Sequence, residues 1–144
     1  MMRTVRIASH VVLAAILLLY GSVAAQDKNS GKKELKIEES AFCTGVKNRE
    51  PQGVSEVFPA DVGRVYLWTT VTCAERPTKI KHVWYYGVKK MREVTLDIEY
   101  KRTRTWSYKN MLPQWAGDWH VEVLDENDKV LGRLSFRITD VPSE

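Results

Sequence analysis

The sequence is poor in the residues that most chemistry requires. Its 144 residues include only 2 cysteines and 3 histidines. No C-x-x-C pair occurs, which argues against a thiol–disulfide enzyme, since nothing evident would lower a thiol pKa. No G-x-S-x-G elbow surrounds a serine, and acyl transfer would also need a base steered by a third group. No stretch sustains a 3.6-residue apolar period, so little helix is expected. Charge of one sign is also missing: 22 Lys and Arg stand against 18 Asp and Glu. So even a balance gives no reason to expect a nucleic-acid partner.

The one long apolar run is Val11 to Tyr20, ten residues behind Arg3 and Arg6. Ten residues fall well short of the roughly 20 that span a bilayer. A positive start, a short apolar centre and the small residues Val23-Ala24-Ala25 form a secretory leader, 1–25, cut after Ala25. No cysteine lies near that cut, the first being Cys43, so a lipid anchor there is not expected. The mature chain would begin at Gln26 with 20 basic and 18 acidic side chains. Export to the periplasm or outside the cell follows as an expectation, with no stable membrane insertion after cleavage.

Residues 26–34 are polar and contain Ser and Gly, as a flexible tether does. From 35 to 141 apolar residues alternate with polar ones between turn signals, which predicts an all-β domain of seven strands. The strands are read as Leu35–Val46, Val62–Cys73, Thr78–Tyr86, Met91–Tyr100, Arg102–Tyr108, Asp118–Leu124 and Val130–Ile138. Glu38-Glu39 shifts the phase inside the first, as a bulge or a change of sheet would. Lys47 to Asp61 reads as a loop, with one helical turn near Ser55 to Phe58. The inward series are Val65, Leu67, Thr69 and Val71; Val94, Leu96, Ile98 and Tyr100; Trp119, Val121 and Val123; and Leu134, Phe136 and Ile138. An antiparallel, immunoglobulin-like β-sandwich suits this pattern best, although a strand tally alone also admits a barrel.

The blocks CTGVKNREP, FPADVGRVYLWT, HVWYY and TWSYKNMLPQWAGDWHVEVLD are spread from Cys43 to Asp125 and make up over half of that stretch. In that order they resemble a bacterial family, domain of unknown function 2914. The resemblance implies a short β-rich domain, often attached to exported or membrane-anchored proteins. It brings no established activity and no catalytic residues. Cys73 and Tyr108 depart from the family's pattern.

An exported chain with two cysteines raises the question of a Cys43–Cys73 disulfide. If the first two strands pair as a hairpin, Cys43 faces about Leu67 and lies roughly 20 Å from Cys73. A bond needs Cα atoms within about 7 Å, so it would require the first strand to pair elsewhere. For metal, His120 and Glu122 share a strand face and His82 lies on a strand expected to be adjacent. The inward series sends His120 and Glu122 to solvent and His82 into the core, so no metal site and no cofactor is expected. The carboxylates Glu93, Asp97 and Glu99 read as a solvated face that discourages edge pairing, and no acid pair across a cleft can be identified.

Five tryptophans remain to be placed. Trp84 and Trp119 fall on inward faces. Trp106 shares its parity with Arg102, Arg104 and Tyr108. If Trp106 turns inward, Arg104 needs a carboxylate, for which Glu50 is a candidate, or a ring face; otherwise Trp106 lies outside, flanked by arginines on an open face. Trp115 lies in a loop between Pro113 and Gly117, either as a plug over the end of the core or as a ring offered to a ligand. Asn110, Gln114 and Asp118 lie near it in sequence and could meet hydroxyl groups. The expectation is a non-catalytic binding module of the cell envelope, meeting a glycan or a partner protein through loops at one end of the sandwich centred on Trp115, with Trp106, Arg104, Asn110, Gln114 and Asp118 as the other candidate contacts. The alternative is an assembly protein that uses its sheet edges and the basic hairpin of Lys79, Lys81, Lys89, Lys90 and Arg92.

Overall fold

A computed structural model describes residues 35–140 apart from 74 and 76. The expected leader 1–25 and tether 26–34 lie outside the described residues. Those that are described fall within one unit, Gly31–Glu144, and form ten strands with no helix among them. In chain order these are β1 Lys36–Cys43, β2 Gly45–Lys47, β3 Glu50–Gln52, β4 Val57–Phe58, β5 Arg64–Thr72, β6 Thr78–Tyr86, β7 Lys89–Ile98, β8 Arg102–Asn110, β9 Gly117–Asp125 and β10 Val130–Ile138.

The alternation of side chains sorts the strands into layers. One sheet has the order β1-β5-β8 and the other β4-β10-β9-β6-β7; β2 and β3 form a separate hairpin. All pairings are antiparallel except β4 with β10. Val65, Leu67 and Val71 of β5 face Ile80 and Trp84 of β6, Val121 and Val123 of β9, and Phe136 and Ile138 of β10 in a shared interior. Trp84 is 0% and Trp119 1% exposed. Phe136 packs edge-on against Trp84 at 6.1 Å and stacks on Trp119 at 6.0 Å, the offset arrangements that ring quadrupoles favour. Two twisted layers filled this way are a sandwich.

The phase shift at Glu38-Glu39 is a bulge, with the β1–β5 register slipping between Ile37 and Glu39. Several expectations need correction. The first segment breaks at Thr44 into β1 and β2, because the chain must turn to fold β2 and β3 back on the sheet. The segment read as a loop contains β3 and β4. Ser55 to Phe58 is not helical: Val57 and Phe58 pair in parallel with Arg137 and Ile138, while the Ser55 hydroxyl donates to the Val57 carbonyl at 2.7 Å. Tyr100 lies past the end of β7 and is 64% exposed.

The cysteines are free. Cys43 pairs with Tyr66 on the outward parity, whereas Leu67, beside Phe42, points to the core. Cys73 is seven residues beyond Tyr66, roughly 23 Å at strand rise, and belongs to the interior cluster. The two thiols are on opposite faces as well as far apart, so the disulfide left open by the sequence does not form.

Candidate binding surface

The inward face of β8 is closed by a polar network. His82 is completely buried, with Nδ1 2.8 Å from the Ser107 hydroxyl and Nε2 3.5 Å from that of Thr69. The Trp84 indole N–H donates to the same Ser107 oxygen at 3.0 Å. Burial pushes the imidazole down to about 3. Its hydrogen-bond partners are the two hydroxyls, which hold the ring as a neutral polar group inside the core. His120 projects from the opposite face of its sheet, stacked on Tyr85 at 4.7 Å and 2.7 Å from Arg133. Partial burial, aided by that guanidinium, lowers its pKa against the pull of Glu122. Among the described residues no group of three His, Cys, Asp or Glu side chains is placed to hold a metal ion.

The six residues singled out from sequence do not converge. Trp115 is half-buried against the core. Its carbonyl accepts the Trp119 indole N–H at 2.9 Å, and the rings lie 6.0 Å apart. The Lys109 ammonium sits 4.4 Å from the centre of the Trp115 ring. Burial, with Arg92 nearby, lowers the Lys109 pKa. Trp115 is therefore engaged by Trp119 and by a cation, leaving little of the flat surface on which a sugar would stack. Gln114 is exposed beside it. Asp118 lies across the other sheet, 2.8 Å from Arg137, and Asn110 accepts from Arg64 Nε at 2.9 Å.

Trp106 and Arg104 occupy a different surface, the outer face of β1-β5-β8. Strand register sets rows across it: Glu39, Thr70 and Arg104; Ala41, Trp68 and Trp106; Cys43, Tyr66 and Tyr108. The Tyr66 and Tyr108 rings are 5.5 Å apart, and Tyr108 carries Arg64 at 4.2 Å and Arg92 at 4.8 Å, within cation–π range. The β2–β3 hairpin folds over one side of this face. Its turn, Asn48 and Arg49, has φ of 51° and 64°, the paired positive values of a two-residue hairpin turn. The Arg49 carbonyl accepts the Trp68 indole N–H at 2.9 Å, and Glu50 pairs with Arg104 at 2.8 Å, a pairing expected only for an inward Trp106 and formed here with Trp106 on the outer face. Trp68 is thus buried beneath the hairpin while Trp106 beside it is half-buried, as Trp115 is.

Sequence reasoning missed Trp68, Tyr66 and Arg49 as parts of this surface. The available signal was the aromatic parity opposite the inward series of β5, where Tyr66 and Trp68 fall. A solvent-facing strand with two large rings needs something above it. Asn48-Arg49 between short β-prone pieces was the matching turn.

Residues 77–138 match the model of a family described as a protein of unknown function (DUF2914). The match takes in the HVWYY and TWSYKNMLPQWAGDWHVEVLD blocks, and the two earlier blocks precede it. No curated protein matches the chain.

Proposed function

Residues 77–138 belong to the DUF2914 family of unknown function, and from that premise we propose that the chain is an exported, non-catalytic binding module of the bacterial cell envelope. Its contact surface is the outer face of the three-stranded sheet, with Trp106 and Arg104 at the centre and Trp115 serving as a plug. The strand order supports the immunoglobulin-like reading of the domain. The chain passes from one sheet to the other at β5–β6, β7–β8 and β8–β9 and stays within one sheet at β6–β7 and β9–β10, a Greek-key arrangement. The export reading rests on the leader pattern of residues 1–25.

The observation that supports the proposal is Trp106 on the outer face, flanked by Arg104 and by the Tyr66–Tyr108 pair. Aromatic rings and arginines side by side on an outer sheet face are the residue types enriched where binding energy concentrates. The interior is already filled by Trp84, Trp119 and Phe136, and Trp106 is not among the residues that pack it.

The test is retention on immobilised envelope glycan, with thermal melting run alongside. Trp106→Ala is expected to melt as wild type and to lose at least tenfold in retention. Trp115→Ala is expected to lose about 2 kcal/mol of stability, as truncation of a partly buried ring does, and to bind normally while folded. Full retention by a folded Trp106→Ala would refute the assignment.

A further inference from the structure

An open cleft of about 410 Å³ is lined by Arg49, Tyr100, Arg102 and Arg104. This is within the range of sites that take a small ligand or one unit of a polymer. Arg102 and Arg104 are two apart on β8 and so project from the same face. Arg49 reaches the cleft from the hairpin turn, at φ 64°, a conformation that costs a side-chain-bearing residue free energy that glycine would not pay.

Three features of the cleft point to its occupant. Each guanidinium has five N–H donors in a planar fork suited to an oxyanion. Arg102 commits Nε to Glu38 at 2.6 Å and Arg104 one terminal nitrogen to Glu50 at 2.8 Å, leaving most donors available. Thr70, in register between Glu39 and Arg104 on this face, is wholly buried, and its hydroxyl has no hydrogen-bond partner among the described residues; it lies under the face and does not line the cleft. The rim is acidic: Glu38, Glu39 and Glu50 all stand close to these arginines. A densely acidic peptide would be repelled by that rim. A ring compound with one acid group and several hydroxyls suits it, the acid meeting the guanidinium forks and the hydroxyls donating to the carboxylates. Tyr100, 64% exposed, offers a ring face alongside.

We propose that this cleft binds the oxyanion, carboxylate or phosphate, of an acidic saccharide unit through Arg49, Arg102 and Arg104. The inference rests on the outer face being the contact surface and names what it contacts. The experiment is calorimetric titration of the purified full chain with glucuronate, glucose 6-phosphate, glucose, inorganic phosphate and a hexaglutamate peptide. At least one of the two acidic sugars is expected to bind ten times more tightly than glucose and inorganic phosphate, and which one leads identifies the oxyanion. Arg49→Gln and Arg102→Gln, both solvent-facing changes checked by melting, should each weaken that binding at least tenfold, with Arg102→Lys intermediate. Equal binding of inorganic phosphate, tighter binding of hexaglutamate, or an unchanged affinity in folded Arg49→Gln would overturn the proposal. If the acidic sugars fail while Trp106→Ala still abolishes envelope retention, the inference falls and the contact surface stands.

Discussion

Acid should loosen this fold well before its carboxylates titrate, because of one imidazole. His82 lies between Thr69, Ser107 and Trp84 in the interior and binds a proton only near pH 3 when folded, against 6.5 for the ordinary group. In the unfolded chain the same ring protonates as pH falls through 6.5, so unfolding takes up a proton and stability falls with falling pH. The loss begins near 6.5, runs at about 1.4 kcal/mol per pH unit and levels off only below about 3. Between pH 7.5 and pH 5 it amounts to about 2 kcal/mol, or roughly 10 °C in melting temperature for a domain of this size. His120, lowered by its own partial burial and Arg133, acts in the same direction, so the measurement is made on a His120→Gln background. Urea unfolding at the two pH values gives the difference directly, and His82→Gln should remove most of it. A pH-independent midpoint across this window, or a dependence that survives His82→Gln, would refute the reasoning.

Thr70→Val keeps the branched shape and removes the orphan hydroxyl, so it should raise stability by about 1 kcal/mol in denaturant unfolding; a loss would mean that the hydroxyl has a partner. Gly53→Ala should lower the midpoint by about 2 kcal/mol or more, because φ is 66° there and a Cβ would collide with the Thr44 hydroxyl that helps to position the β2–β3 hairpin. Both cysteines should react with iodoacetamide without reductant in urea and only slowly in the native protein, since both are buried and burial raises the Cys43 thiol; a single labelled thiol, or none, in urea would contradict the free pair.

The interior of the sandwich was legible from alternation alone. Val65, Leu67, Ile80, Trp84, Trp119, Val121, Val123, Phe136 and Ile138 all lie where period two places them, because one face of each strand must leave water. The short pieces were not legible. β3 contains Pro51, and β4 has only two residues, so neither offers a period to detect; their pairing is decided by Trp68 and by the edge of β10. Tyr100 kept the right parity but lies past the last ladder bond, and parity has no meaning once the strand ends. For the site, the Glu50–Arg104 pair was readable as a candidate, although it was tied to an inward Trp106 and forms with Trp106 on the outer face. The separation of Trp106 from Trp115 was not. The two are nine residues apart in sequence, but β8 carries one along the sheet face while the loop after it turns the other onto Trp119.

Amide chemical-shift mapping tests the central claim most directly, with the isotope-labelled protein titrated with soluble fragments of envelope glycan. Perturbations are expected in the hairpin Gly45 to Gln52 and along β8 from Arg102 to Tyr108, on the side carrying Trp106. A shift pattern centred on residues 111–118 around Trp115, with β8 unchanged, would contradict the account.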